Sequence, residues 1–561
     1  MKRFYLLSLM LLLLAACQPN FAVVTVTPPG QEPAAINTPA PAENAAAPLP
    51  VERGEFFATS GQCAVCHTRM TDEAGNDVSL DSQWRTSMMG NAARDPYWQA
   101  GVRNEILSNP DYAEFIQDKC ATCHMPMARF TLHEREENAQ VLDDGLADAD
   151  HPLHTLAYDG VSCTVCHQIE GDTLGTEESF SGHYPIDTTR PMGERAAYGP
   201  FDVSEANQIV MQGSSGFIPT QADYVRDSEL CGACHTLYTP TLDYNGEIVG
   251  EFAEQMVYPE WLNSAYRDTQ SCADCHMPPA EGSVVLSITG SEPREPFMQH
   301  IFVGANFYMP DLLRRHRNEL GTTGGDDQFD FTIAQVMDQL QNHTATLTID
   351  DVQRDGDTLI ADLTITSQTG HKLPTSYPAR RVWLHVTVTD SAGNVVFESG
   401  AFNVDGSIVG NDNDADPARY EPHYTEITAP DEVQIYEAVM GDVSGQPTTT
   451  LLFGAGYLKD NRLLPDGFDK DSAHEDYGVW GLARNDTDFV GGSDRIRYRV
   501  DVSAADSPLT VTAELRYQSI GYRWAHNLER HDSPETNRFL AYYNETPSPA
   551  VTIASAAATL P

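Results

Sequence analysis

The chain has 561 residues, 81 of them acidic and 34 basic, for a formal net charge of −47. A charge of that sign and size excludes nucleic-acid binding and docking on anionic lipid, both of which need clustered Lys and Arg. It suits a very soluble protein, or one with basic partners, and carries no information about fold.

The N-terminus reads MKRFYLLSLMLLLLAAC. Lys2 and Arg3 precede an apolar run that is too short to span a bilayer as a mature helix. Residues 1–16 are therefore read as a signal peptide. Leu14-Ala15-Ala16-Cys17 resembles a bacterial lipoprotein signal, in which cleavage leaves a lipidated Cys17. An ordinary signal peptide beside a stray cysteine is the alternative. Either reading exports the protein, and a lipid would anchor it to a membrane without spanning it. Residues 17–51 are rich in Pro, Ala and Thr and read as a disordered tether.

Residues 52–310 carry helical patches, DPYWQAGVRNEIL (95–107) and EFAEQMVYPEWLNSAY (251–266), between polar stretches rich in Gly and Pro. The region has few apolar runs from which to build a core of its own. Residues 311–343 read as a helical connector. From 344 to 561 the pattern changes to short runs rich in Val, Ile, Thr and aromatics, separated by Gly, Asp and Asn turns. The runs are 345–352, 358–367, 381–390, 394–400, 432–440, 495–503 and 509–518. They predict an antiparallel β-sandwich with loop-rich insertions around 403–430 and 455–490. The predicted class is thus a multidomain chain, with a loop-rich, mainly α region followed by the sandwich.

The chemistry is concentrated in ten of the eleven cysteines. They form five CxxC pairs, Cys63/Cys66, Cys120/Cys123, Cys163/Cys166, Cys231/Cys234 and Cys272/Cys275. Each pair is followed at once by histidine: His67, His124, His167, His235 and His276. With His at 18 of 561 positions, five such hits by chance have odds on the order of one in ten million or less. A zinc ribbon needs CxxC but not the adjacent His, and a redox dithiol or disulfide framework does not explain it either. Covalent c-type haem accounts for the whole pattern: two thioethers to the vinyl groups and a proximal imidazole on iron. Five haems would also supply the apolar bulk that residues 52–310 lack. Zinc remains the alternative.

The longer strings around the motifs resemble multihaem cytochromes c of the cytochrome c-five-five-four/c-prime type. In the motif region these are CAVCHTRM with QWRTSMMGNAARDPYW (83–98), DGVSCTVCHQI (159–169), SELCGACHTLYT (228–239), SCADCHMP (271–278) and HIFVGANFYM (300–309). In the β region they are TGHKLPTSYPARRVWLHVTVTDSAGNVVFESG (369–400), VQIYEAVMGDVSG (433–445) and YLKDNRLLPDGFDK (457–470). The resemblance implies electron transfer through closely packed haems.

The sixth ligands decide between electron transfer and chemistry at an open iron. His300, just past the last motif and beside aromatics, is the first candidate. His133, His151, His154 and His183 flank the second and third motifs, and each is alternatively an ordinary hydrogen-bonding residue. His371, in a turn between predicted strands, is placed to reach across a domain interface. Met88 and its neighbour Met89 stand where the family often has His. Met raises haem potential as a ligand and otherwise fills space beside a porphyrin. Lys372, Arg380 and Arg381 are candidates for pairing with propionates or ordinary carboxylates. NDNDADP (411–417) reads as a solvated acidic loop rather than a calcium site.

Three functions follow. The first is a lipid-anchored, periplasmic or cell-surface electron carrier whose partners are redox proteins, including other cytochromes. The second is an oxidoreductase acting on a small nitrogen or sulfur compound at one open haem. No CxxCK motif marks a catalytic haem in its favour. The third is a partner-binding cytochrome with an adhesive β domain.

Overall fold

The computed structural model describes residues 45–561. The expected signal peptide, Cys17 and nearly all of the tether lie outside them. No helix among the described residues is long and apolar enough to cross a membrane.

The β region is built on two sheets. One runs Val395–Ser399, Arg381–Thr389, Leu509–Gln518, Ala550–Leu560, with Ile435–Tyr436 also paired to Arg381–Thr389. The other runs Glu426–Ile427, Ser493–Asp501, Thr358–Ser367, Ala345–Asp355. The pairings are antiparallel except Glu426–Ile427, which joins Ser493–Asp501 in parallel.

Period-two alternation sets the register. Along Ser493–Asp501, Asp494, Ile496, Tyr498 and Val500 are buried while Arg495, Arg497 and Arg499 are exposed. Ile496 pairs with Leu363 and Tyr498 with Ala361 on the neighbouring strand. From the other sheet Leu384, Val386, Val511, Ala513 and Leu515 enter the same core. That core also takes Leu312 and Leu313 of helix Tyr308–Arg315 and Phe329, Val336 and Leu340 of helix Asp326–Asn342.

Two expectations need correction. Residues 251–256 are not helical. Ile248–Met256 is a strand paired with Thr236–Leu242, and only Val257–Leu262 continues as helix. The reason lies in the turn. Asp243 accepts the amide hydrogens of Asn245 and Glu247, Gly246 takes φ of +79°, and this closes a hairpin that overrides the helical pattern.

The motif region also has an apolar cluster of its own, including Phe57, Val102, Ile116, Met127, Leu142, Leu156, Val165 and Ile169. These residues come from short helices and loops spread over more than a hundred positions, so no continuous apolar run announces them.

Helix Pro96–Ser108 is capped by Asp95, whose carboxylate accepts from the amides of Tyr97 and Trp98, with Pro96 in the first turn. It ties the motif region to the chain's end. Tyr97 packs on Phe539 at 5.0 Å between ring centroids, and Arg103 pairs with Glu535 at 2.8 Å. Residues 45–561 form one compact unit.

Candidate metal centres: five Cys-x-x-Cys-His turns

Each motif folds as a helical turn. The amide of His67 donates to Cys63 O, that of His167 to Cys163 O and that of His235 to Cys231 O, at 2.9–3.0 Å. His124 closes helix Ala113–His124, and His276 closes Cys272–His276. The fifth motif supplies its own capping box. Ser271 Oγ accepts from the Asp274 amide while Asp274 accepts from the Ser271 amide. Positions i, i+3 and i+4 share one face of a helical turn, so both thiols and the imidazole point to the same side.

The imidazoles are oriented alike. Nδ1 of His67 donates to Leu286 O at 2.7 Å, of His124 to Ala92 O at 3.1 Å, and of His167 to Tyr198 O at 2.6 Å. His276 makes the same contact with Val303 O. An Nδ1–H held by a carbonyl fixes the tautomer and leaves Nε2 bare for a metal. For His235 no such carbonyl is found among the described residues. Burial drives the pKa of His124 and His235 down to about 4, and lowers those of His67 and His167. All four are neutral near pH 7, as ligation requires.

Two of the motif histidine rings face a second histidine among the described residues. His167 and His300 lie nearly parallel, 16° apart, with centroids 6.4 Å apart; His276 and His371 are 7° and 6.2 Å apart. An imidazole nitrogen about 2 Å from a metal puts the ring centroid roughly 3 Å from it, so two rings flanking one ion stand roughly 6 Å apart. Direct stacking would bring them much closer, as for Trp98 on His124 at 4.4 Å. The Nδ1 of His300 contacts Met298 O and that of His371 contacts Lys372 O, each at 3.0 Å, which leaves both Nε2 atoms bare. Burial, then the facing imidazole, lowers His300 to about 3 and His371 to about 4.

The other candidates fall elsewhere. His154 has its Nδ1 on Leu146 O at 3.0 Å and stacks on Tyr158, with no facing proximal ring among the described residues. His151 Nδ1 accepts from the Leu153 amide, so its proton sits on Nε2 and it is not presented as an Nε2 ligand. His133 and His183 are exposed. His183 follows Gly182, which has φ of +80° and lies so close to Thr122 and Cys123 that a Cβ would clash; His183 therefore sits beside the second motif. Met88 is half-buried against the larger core, and no contact joins it to His67 among the described residues. Met89 O accepts from Val161, just before the third motif. The turn there needs Gly160, with φ of +62° and room for no Cβ against that carbonyl.

All ten described cysteines are free and half-buried. Six of their thiols lie near enough across motifs to shift one another's ionisation: Cys63 and Cys163, Cys123 and Cys234, and Cys231 and Cys272. Cys166 lies near enough to Cys231 and Cys234 to raise theirs as well.

The ten cysteines differ in their surroundings, and Cys66 stands most apart. Its thiol acts on its motif partner Cys63, and no thiol of another motif meets it among the described residues. The reason is the packing of the first turn. The Cys66 amide donates to Cys63 O at 3.1 Å, and Cys66 O accepts the Ile288 amide at 3.0 Å, beside the His67 contact with Leu286. The second half of this motif is thus held by residues 286–288, while Cys63 is the half that reaches the third motif. Cys120 and Cys275 likewise interact with the thiol of their own motif.

Among the described residues no cysteine joins a group of three or more ligand atoms gathered as a zinc site would need; the one such group is His423, Asp486 and Asp494. Its histidine is already satisfied. Nε2 donates to Asp486 at 2.9 Å and Nδ1 accepts from Gln434 and Asn461.

The loop bearing His371 is held by a feature the sequence did not announce. The Lys372 amide donates to Glu260 at 3.1 Å and its ammonium to Asp460 at 2.7 Å. Arg462 bridges Glu260 and Asp460 at 2.8 Å each. All four side chains are buried. Burial raises the Asp460 pKa, but Arg462 and Lys372 outweigh it and hold it at about 2. Leu373 and Leu463 exchange backbone hydrogen bonds at 2.8–2.9 Å alongside. Lys372 and Arg381 thus have carboxylate partners within the chain, the latter in Asp414 at 2.8 Å. Asp414 also accepts the Ile408 amide, so the acidic loop is partly a structural anchor.

No family model matches the chain, and no curated protein matches it. A solved structure it resembles is the crystal structure of a penta-heme cytochrome c552 from Thermochromatium tepidum, at 15% sequence identity and a TM-score of 0.49. The match covers 90% of this chain and 98% of that one.

Proposed function

We propose that the chain is a multihaem c-type cytochrome with five covalently attached haems, working as an electron carrier. The observation that carries this reading is the pair of facing rings, His167–His300 and His276–His371, at metal-spanning distance with every Nδ1 tied back to a carbonyl. On this reading the ten motif cysteines form the thioethers, Cys66 included, since a thioether needs only its own motif partner. His67, His124, His167, His235 and His276 are proximal ligands. His300 completes the third iron and His371 the fifth. Haem supplies one-electron chemistry when bound; the chain supplies spacing, ligation and surroundings.

The nearness of the motifs supports a connected relay. The first motif lies near the third, the third near the fourth, and the fourth near both the second and the fifth. Export, a lipid on Cys17 and redox-protein partners complete the proposal.

A pyridine haemochrome count on the purified holoprotein tests it, with five haems per chain expected. Any other count overturns the stoichiometry. Electron paramagnetic resonance tests the ligation. Low-spin signals from the third and fifth haems are expected, and a high-spin signal that disappears on deleting either haem site would overturn the His300 or His371 assignment.

A further inference from the structure

A cavity of about 310 Å³ opens beside the start of strand Arg381–Thr389. That is the lower end of the size range of small-molecule sites. Arg380, Arg381, Arg523 and Arg530 line it against a single carboxylate, Glu437. Two of these charges are already matched. Arg381 pairs with Asp414, and Glu437 accepts from Lys459 at 3.0 Å.

The other three guanidinium groups have no carboxylate partner among the described residues. Arg523 is fixed by main-chain oxygens, Nε on Asn413 O and Nη2 on Asp414 O. Arg530 donates from Nε to Asn527 O and from Nη2 to Thr449 Oγ1. Each keeps Nη1 uncommitted. Arg380 Nη1 is buried and has no hydrogen-bond partner at all.

Arg530 is exposed, and Arg380 and Arg523 are half-buried. In a chain with 81 acidic side chains, three cations lining one cavity with no carboxylate at ion-pair distance among the described residues make a locally positive place that suits an anion. Trp524 and Met440 give the chamber an apolar wall.

We propose that this cavity binds a multiply charged oxyanion, a di- or tricarboxylate or a condensed inorganic oxyanion, bridged by the free edges of Arg523 and Arg530, with Arg380 adding its charge from the cavity wall. The planar fork of arginine suits oxygen pairs on such anions. The local positive field acts against the repulsion of the whole chain, so binding weakens as salt rises.

Calorimetric titration of the holoprotein with citrate, pyrophosphate and sulfate, at low and physiological ionic strength, tests this. Citrate or pyrophosphate should bind, and Arg530→Gln and Arg523→Gln should each weaken binding about tenfold or more. If a glutamine variant melts lower than the parent, Arg530→Lys replaces it; it keeps the charge, loses the fork, and should show intermediate affinity. No binding by any of the three anions overturns the proposal, as does equal affinity in parent and variants. Arg380→Gln separates a free anion from a propionate carried by the protein's own haem. A shift in one haem potential with citrate affinity unchanged would assign Arg380 to the propionate and overturn its place in the site.

Discussion

His300 and His371 stand at nearly the same distance from their partner rings, 6.4 and 6.2 Å, yet they are held by different physics. His300 belongs to the motif region and is fixed by uncharged hydrogen bonds, one local and one from far along the chain. Gln83 accepts its amide at 3.0 Å and Met298 O takes its Nδ1. His371 sits on a loop between sandwich strands, fixed by four buried charges from three separate stretches of chain. The first pairing joins two residues within 52–310, although Ile301 and Val303 beside His300 enter the core shared with the β region. The second joins a motif histidine to a loop of the β region, so its geometry reports directly on how the two stretches pack.

The largest expected effect breaks that second pairing. Arg462→Met strips Asp460 and Glu260 of a buried partner, and such a loss costs about 3–5 kcal/mol. Urea unfolding should record it, and the fifth haem should lose its low-spin signal while the third keeps it. An unchanged midpoint with both signals intact would sink the clamp.

Removing the ligands directly comes next. His300→Ala and His371→Ala should each turn about one haem in five high-spin by paramagnetic resonance. Only His371→Ala should be less than additive with Arg462→Met in stability, because those residues share one network. Additivity in both double variants would erase the contrast between the two histidines.

A smaller effect concerns pH. Glu105 accepts the amides of Leu451 and Leu452, which lie between the short strands Ala438–Gly441 and Gly456–Asp460, and burial pushes its pKa up to about 7. Glu254 is also pushed to about 7 by burial, and it raises Glu105 further. A carboxyl whose folded pKa exceeds its ordinary value of 4.5 holds its proton longer in the native state. Its contribution is complete below pH 4.5 and lost as pH rises through about 7. Glu105→Gln should therefore flatten the fall in stability between pH 5 and 8; urea midpoints at those two values decide, and an unchanged slope contradicts the account.

The smallest effect is Trp98→Leu. It removes the indole stacked on His124 and should cost about 0.5–1.5 kcal/mol beyond lost area, read from thermal melts with the third and fifth haems unperturbed.

Much of the candidate site was legible because it is local. CxxCH fits inside one helical turn, and nothing distant changes what five adjacent residues can present. The seven runs read as strands lie on or within three residues of strands for the same reason, although 432–440 divides at Glu437. What escaped was decided at a distance. Ala550–Leu560 is rich in Ala and carries little strand propensity, but it pairs along the whole of Leu509–Gln518. The stretch 251–256 has helical composition and is captured by a hairpin partner. Cys63 and Cys66 are alike in the motif, yet only Cys63 meets a thiol of another turn, because tertiary packing decides which sulfur faces a neighbour. His371 could be named from its turn, whereas Glu260, Asp460 and Arg462 could not, because nothing in three separated segments says that their charges meet in one buried place.

The CxxC turns bear on how such a chain would be made. Each sets two thiols on one face of a single helical turn. On the multihaem reading those sulfurs carry thioethers, so in an oxidising compartment a disulfide within the turn would compete for the same atoms. A reductant that keeps the turn open would then be as necessary to the finished protein as the histidine beside it.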